Sequence, residues 1–133
     1  MKIAAITEDG KTISQHFGRA GYYLVVTVEA GRIINREMRD KLGHAQFEAE
    51  AHGQDERAGG RHGYGPDAER RHGRMAQAII DCEALLCGGM GMGAYESIKA
   101  LNIRPVVTDI ADIDDAVTAY LDDRIVDHVE KLH

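Results

Sequence analysis

A chain of 133 residues has room for one hydrophobic core and needs neither a disulfide nor a structural metal to fold. Its net charge of −6, from 22 acidic and 16 basic side chains, argues against nucleic acid as the main partner, and no apolar run approaches the roughly 20 residues of a membrane-spanning helix. Met1-Lys2-Ile3-Ala4-Ala5-Ile6 runs straight into strand-like sequence without an apolar leader, so a cytoplasmic protein is expected, with Cys82 and Cys87 as reduced thiols.

Lys2 to Thr7 is short, apolar and β-branched and stops at Glu8-Asp9-Gly10, the pattern of a buried first strand. Tyr22 to Val28 reads as a second strand, and Ala30-Gly31 turns tightly into a third, Arg32 to Met38, which makes an N-terminal β-hairpin. Arg74 to Cys82 carries Met75, Ile79 and Cys82 on one helical face. Glu83 to Cys87 is a buried strand, Ala94 to Leu101 a helix, and Ile103 to Thr108 a strand whose Pro105 suits a sheet edge or a strand start. Asp112 caps a last helix ending at Leu121, with Asp115 at its third position. Alternating strands and helices in the second half require parallel βαβ units, so the expectation is one α/β domain with a mixed five-stranded sheet.

Residues 40–73 do not fit that scheme. They hold seven glycines and four of the seven histidines, including the evenly spaced pairs His52-Gly53, His62-Gly63 and His72-Gly73. This reads as a flexible insert within the domain, of a length that is usually functional or disordered. Its histidine spacings match no compact metal motif, yet a divalent-metal tract for nickel or zinc stays open. Arg57, Arg61, Arg70, Arg71 and Arg74 lie in or beside it, as suits a flap over an anion and equally a solvated loop.

The chemistry concentrates in Cys87-Gly88-Gly89-Met90-Gly91-Met92-Gly93-Ala94, a strand end, a glycine turn and a helix start. Backbone N–H groups and a helix dipole at such a turn face an anion, and glycine lets a ligand approach. Gly89-x-Gly91-x-x-Ala94 also fits a dinucleotide fingerprint, with Asp109 twenty residues on, so a nucleotide-binding enzyme is an alternative. Too little chain follows for a second nucleotide half, and Met90 and Met92 crowd the place of a pyrophosphate. His16-Phe17-Gly18-Arg19 sits in the loop after the first strand. If strands one and four are neighbours, this loop and the glycine turn share the carboxyl edge of the sheet, where open α/β sheets bind ligands. Neutral imidazole ligates soft and borderline metals, and Arg19 can offer two parallel hydrogen bonds to an anion. Cys87 is a candidate thiolate ligand, though buried cysteines are usually inert. No nucleophile–base pair or carboxylate cluster marks a catalytic centre, so no catalytic residue is assigned.

Met1 to Gly10, His16 to Ala20 and Tyr22 to Val28, followed by Leu85-Leu86-Cys87-Gly88-Gly89-Met90-Gly91 and Asn102-Ile103-Arg104-Pro105-Val106, resemble the dinitrogenase iron–molybdenum cofactor biosynthesis family. The resemblance covers nearly everything outside the insert. It implies a ribonuclease H-like three-layer fold without nuclease residues, and a role in carrying, storing or inserting metal–sulfur clusters. Thr108 to Asp114 also resembles the orange-protein branch, which holds a molybdenum–copper sulfide cluster, whereas the insert departs from compact members. The family's loop histidine maps onto His16. On this basis the chain is expected to be a non-catalytic carrier of an iron–molybdenum or molybdenum–copper sulfide cluster, acting as a monomer or weak homodimer with cluster donor or acceptor proteins. His16, Phe17, Gly18 and Arg19 would face Gly88, Gly89, Met90, Gly91, Met92 and Gly93 across the cluster, with His62, His72 and Cys87 as further metal ligands.

Overall fold

The computed structural model describes residues 1–41 and 76–133. Five strands, β1 (Lys2–Thr7), β2 (Tyr22–Glu29), β3 (Arg32–Asp40), β4 (Ala84–Cys87) and β5 (Arg104–Val107), form one sheet in the order β3-β2-β1-β4-β5. β2 runs antiparallel to both β1 and β3, whereas β4 runs parallel to β1 and β5 parallel to β4. Helices α1 (Met92–Ala100) and α2 (Ile113–Leu121) and a short 3-10 turn (Val129–Lys131) complete the described elements. The mixed sheet, the N-terminal hairpin and the parallel second half are as the sequence leads one to expect.

Local chemistry accounts for the joints. Ala30 and Gly31 both adopt positive φ, at 53° and 76°, the backbone of a tight primed hairpin turn. α1 stops where Asn102 turns left-handed at φ 64°. The Asp112 carboxylate accepts a hydrogen bond from the Asp115 N–H at 2.9 Å, so the expected N-cap is formed.

Residue parity along β3 shows both faces of the sheet in use. Arg36 reaches Asp114 of α2 on one face, while Arg39, an odd number of residues away, donates to Asp81 and to the Ala78 carbonyl on the other. Covered on both sides, β1 and β4 are buried almost throughout, which is why they read as continuous apolar runs. Tyr23, beside Cys82, is fully buried, and that burial pushes its phenol far above the ordinary range.

One expectation needs correction and another holds with an addition. The helix at 74–82 is described only from Ala76; Ala76 and Gln77 are helical, and the chain then leaves the helix in tight turns, with the N–H groups of Ile79, Ile80 and Cys82 each donating three residues back. β5 is indeed an edge strand, but Pro105 is only part of its protection. The Asp127 carboxylate accepts from the outward N–H of Val107 at 2.9 Å, and the His128 N–H donates to the Val107 carbonyl at 2.8 Å. The C-terminal segment thus satisfies an edge that proline alone would leave half open.

Candidate functional site

Parallel pairing of Ala5 with Leu86 sends the chain out of β1 and β4 at the same sheet edge. After Thr7 the chain turns on itself: the Thr7 hydroxyl donates to the Thr12 carbonyl at 2.7 Å, and the Asp9 carboxylate accepts from the N–H groups of Lys11 and Thr12 at 2.8 Å each. Those two bonds draw the exposed Asp9 carboxyl down to about 2. This knot redirects residues 14–20 across the end of β4. There the Gly88 N–H donates to the Ser14 carbonyl at 2.9 Å, and the Phe17 N–H donates to the Gly89 carbonyl at 3.0 Å. Between these bonds lies His16, exposed, with its carbonyl accepting from the N–H groups of Arg19 and Ala20. The two motifs singled out in sequence are therefore joined backbone to backbone.

That junction explains the glycines. A Cβ on Gly88 would stand 2.9 Å from the Ser14 carbonyl oxygen, and one on Gly89 would stand 2.6 Å from the Gln15 carbonyl oxygen. Gly88 and Gly89 are small because the His16 loop crosses directly over them, which is a packing demand rather than a ligand demand. Farther along, the His133 main-chain oxygen accepts from the Met92 N–H at 2.8 Å. Two of the six N–H groups expected to face an anion are thus already used by the protein. Among the described residues, the N–H groups of Gly91 and Gly93 find no partner, the Gly89 N–H is turned toward the Cys87 sulfur, and α1 has neither a side-chain cap nor an acidic residue in its first turn. The positive end of that helix stays electrically uncompensated, apart from the His133 oxygen.

The remaining candidates separate by burial. Arg19 and Gly18 are exposed beside His16, and the Arg19 guanidinium makes no ion pair with a described residue. Phe17 is buried and anchors the loop instead of facing solvent. Met92 is 51 % exposed and can line an open site, but Met90 is 1 % exposed and belongs to the core. Cys87 is likewise corrected. Its side chain is fully buried, its thiol donates to the Val106 carbonyl at 3.6 Å, and burial pushes it up to about 12. A protonated thiol under the sheet edge is not poised to ligate a metal. His62 and His72, with most of the 40–73 insert, lie outside the described residues. Among those described, no group of three or more His, Cys, Asp or Glu side chains converges on a metal-sized site.

Sequence reasoning missed Lys41 and the C-terminal segment. Lys41 is buried at the end of β3 with its Nζ 4.2 Å from the Phe17 ring centroid, so a cation sits under the His16 loop. Burial draws its ammonium down to about 8, with Glu8 pulling the other way. No local pattern distinguishes this lysine from its charged neighbours. Asp109, the acidic residue of the dinucleotide pattern, is committed elsewhere: it pairs with Lys131 and, at 3.1 Å, with His128, and so fastens the C-terminal segment. A shallow cleft of about 360 Å³ lined by Tyr95, Lys99, Arg104 and Asp127 lies toward the other end of α1, away from this edge.

The family model for dinitrogenase iron–molybdenum cofactor proteins matches residues 1–123. The chain belongs to this family. A curated relative, the FeMo cofactor biosynthesis protein NifB of Frankia alni, is 27% identical over 126 residues, covering 93% of this chain. Those residues are 21% of the relative, so the chain spans about a fifth of that protein's length. The apo form of the orange protein from Desulfovibrio gigas superposes with a TM-score of 0.65 at 21% identity, covering 96% of this chain and 92% of that one. A Methanocaldococcus jannaschii structure superposes with a TM-score of 0.63 at 12% identity, covering 97% and 95%. The family's sheet and helices are thus those described above, and among the described residues no helix is long and apolar enough to cross a membrane.

Proposed function

We propose that this iron–molybdenum cofactor family member binds an anionic metal–sulfur cluster at the sheet edge and carries it, without catalysis, in cluster biosynthesis, storage or delivery. The observation that supports this most is the backbone lock between residues 14–17 and Gly88-Gly89. It holds an exposed imidazole and an exposed guanidinium beside a helix start whose N–H groups are in part unpartnered. A sulfide cluster is bulky, soft and negatively charged. His16 supplies one metal ligand or a hydrogen bond to sulfide, and Arg19 and the N–H groups of Gly91 and Gly93 offset charge. Met92 offers a polarizable wall. His16 and His133 are the described histidines at this edge and no thiolate joins them, which suits a cluster that arrives assembled; it does not suit a bare ion that needs three or four protein ligands.

The same proposal takes the sheet as a ribonuclease H-like scaffold in a cytoplasmic carrier, with an iron–molybdenum or a molybdenum–copper sulfide as cargo. The relative NifB is named for FeMo cofactor biosynthesis, and the family model carries the cofactor's name. A nucleotide-dependent enzyme is disfavoured by Asp109, which is tied to Lys131 and His128. A nickel or zinc buffer built on His62 and His72 would lie outside the described residues. Elemental analysis and an absorption spectrum of the chain purified without oxygen from its own source test the proposal. Molybdenum and sulfide with a visible charge-transfer band are expected, whereas nickel or zinc alone, or a bound nucleotide, refutes it.

A further inference from the structure

His16, His128 and His133 are the histidines among the described residues, and their rings are treated differently. His128 is engaged at both nitrogens, with Nδ1 2.9 Å from Glu130 and Nε2 3.1 Å from Asp109. His16 and His133 are exposed, and neither ring has a hydrogen-bond or ion-pair partner among the described residues. Their main chains, by contrast, are fixed on one turn. The Phe17 N–H donates to the Gly89 carbonyl at 3.0 Å, which seats the His16 loop. The Met92 N–H donates to the His133 carbonyl at 2.8 Å, and the His133 N–H donates to the Met90 carbonyl at 3.4 Å. Two segments far apart in sequence, each bearing a free imidazole, thus grip the stretch Gly89–Met92.

We propose, resting on the cluster reading above, that His133 is a second imidazole ligand to the cluster, brought to the turn by the segment Asp127–His133. That segment is fastened at several points. Asp127 accepts from the Val107 N–H and the Tyr95 hydroxyl, Lys131 pairs with Asp109, and Leu132 packs half-buried against the core. Closing the β5 edge uses Asp127 and His128 alone, so edge protection does not account for the run on to His133. Capping the Met92 N–H needs only a main-chain oxygen, which any residue supplies. The imidazole is left over from both tasks. A neutral imidazole with no partner offers a lone pair to a borderline metal and an N–H to a sulfide. Two such rings on one turn give a bulky cluster two points of attachment, the second made at high effective concentration once the first has formed. The family model matches only as far as residue 123, so His133 lies beyond the region that the family shares with this chain.

An anaerobic titration of the full chain, isotopically labelled at histidine nitrogen, tests this. Tetrathiomolybdate with copper is added, and separately isolated iron–molybdenum cofactor, while the absorption spectrum and the ring nitrogen resonances are followed. His16→Ala and His133→Ala assign the signals. Binding is expected to perturb the rings of His16 and His133 and to spare that of His128, which two carboxylates already hold. His133→Ala keeps both main-chain bonds, because alanine supplies the same N–H and carbonyl. Its urea midpoint therefore stays at the wild-type value, while affinity falls about tenfold or more and the charge-transfer band shifts. A band with a perturbed His16 ring and an unperturbed His133 ring overturns the inference and leaves the cluster reading standing. Wild-type affinity and spectrum in His133→Ala overturn it too. No band with either cargo removes the cluster reading, and this ligand with it.

Discussion

Gly89→Ala separates packing from ligand approach as the reason for the glycine turn. The new Cβ would stand 2.6 Å from the Gln15 carbonyl oxygen, which is backbone and cannot swing aside. Overpacking of this kind costs about 1–3 kcal/mol. Displacing the loop also strains the Phe17 N–H bond to Gly89 and the Gly88 N–H bond to Ser14, each worth about 1 kcal/mol net. The expected loss is about 2–4 kcal/mol in the ligand-free protein. Gly18→Ala is the control: nothing lies within 4 Å of its Cβ, so the change is neutral or stabilises by about 0.4–1 kcal/mol through the unfolded chain. Urea unfolding followed by circular dichroism reads both. If Gly89→Ala unfolds within about 0.5 kcal/mol of the wild type yet loses ligand, the glycine serves ligand approach and the packing argument fails.

Other consequences are as direct. Lys41 titrates near 8 in the folded chain against 10.5 unfolded, so across that window the unfolded chain holds more protons and stability rises with pH. Lys41→Met should remove about 3 kcal/mol of that rise, and a gap to wild type that stays constant from neutral pH to beyond 10.5 contradicts the assignment. Cys87, pushed up to about 12, should resist iodoacetamide in the native state at mildly alkaline pH. Rapid labelling there would put the thiol at the surface after all. Asp127→Ala should cost about 2–3 kcal/mol, since it strips the Tyr95 hydroxyl and the Val107 N–H of their acceptor, and should promote association through β5. Unchanged thermal unfolding and light scattering would rule that out.

The strands, the hairpin turn and the Asp112 cap were legible because their signals are local: β-branched runs, Ala30-Gly31, and Asp112 three residues before Asp115. The shared sheet edge was legible too, since a parallel β1–β4 pair follows from the βαβ order. What the sequence hid is non-local. Gly88 and Gly89 look like anion-cradle glycines, and only the crossing of Gln15 above them shows that backbone already fills that space. Met90 and Met92 have the same chemistry in one turn, yet one packs under the sheet edge and the other faces solvent. Cys87 looks like a ligand at a strand end, but β4 is covered on both faces. Lys41, Asp127 and the His133 oxygen act on residues 20 to 40 positions away or more, beyond the reach of any periodic pattern.

The central claim is that His16 and the turn at Gly88–Gly93 hold an anionic metal–sulfur cluster. The most direct measurement is an anaerobic titration of the apo chain with tetrathiomolybdate and copper, and separately with isolated iron–molybdenum cofactor, for wild type and His16→Ala in parallel. His16 is exposed and outside the core, so the variant folds and its urea midpoint serves as the check. The account predicts a charge-transfer band in the wild type with at least one of these cargoes, and binding weakened about tenfold or more with a shifted band in His16→Ala. Equal affinity and an identical spectrum in the variant would contradict it.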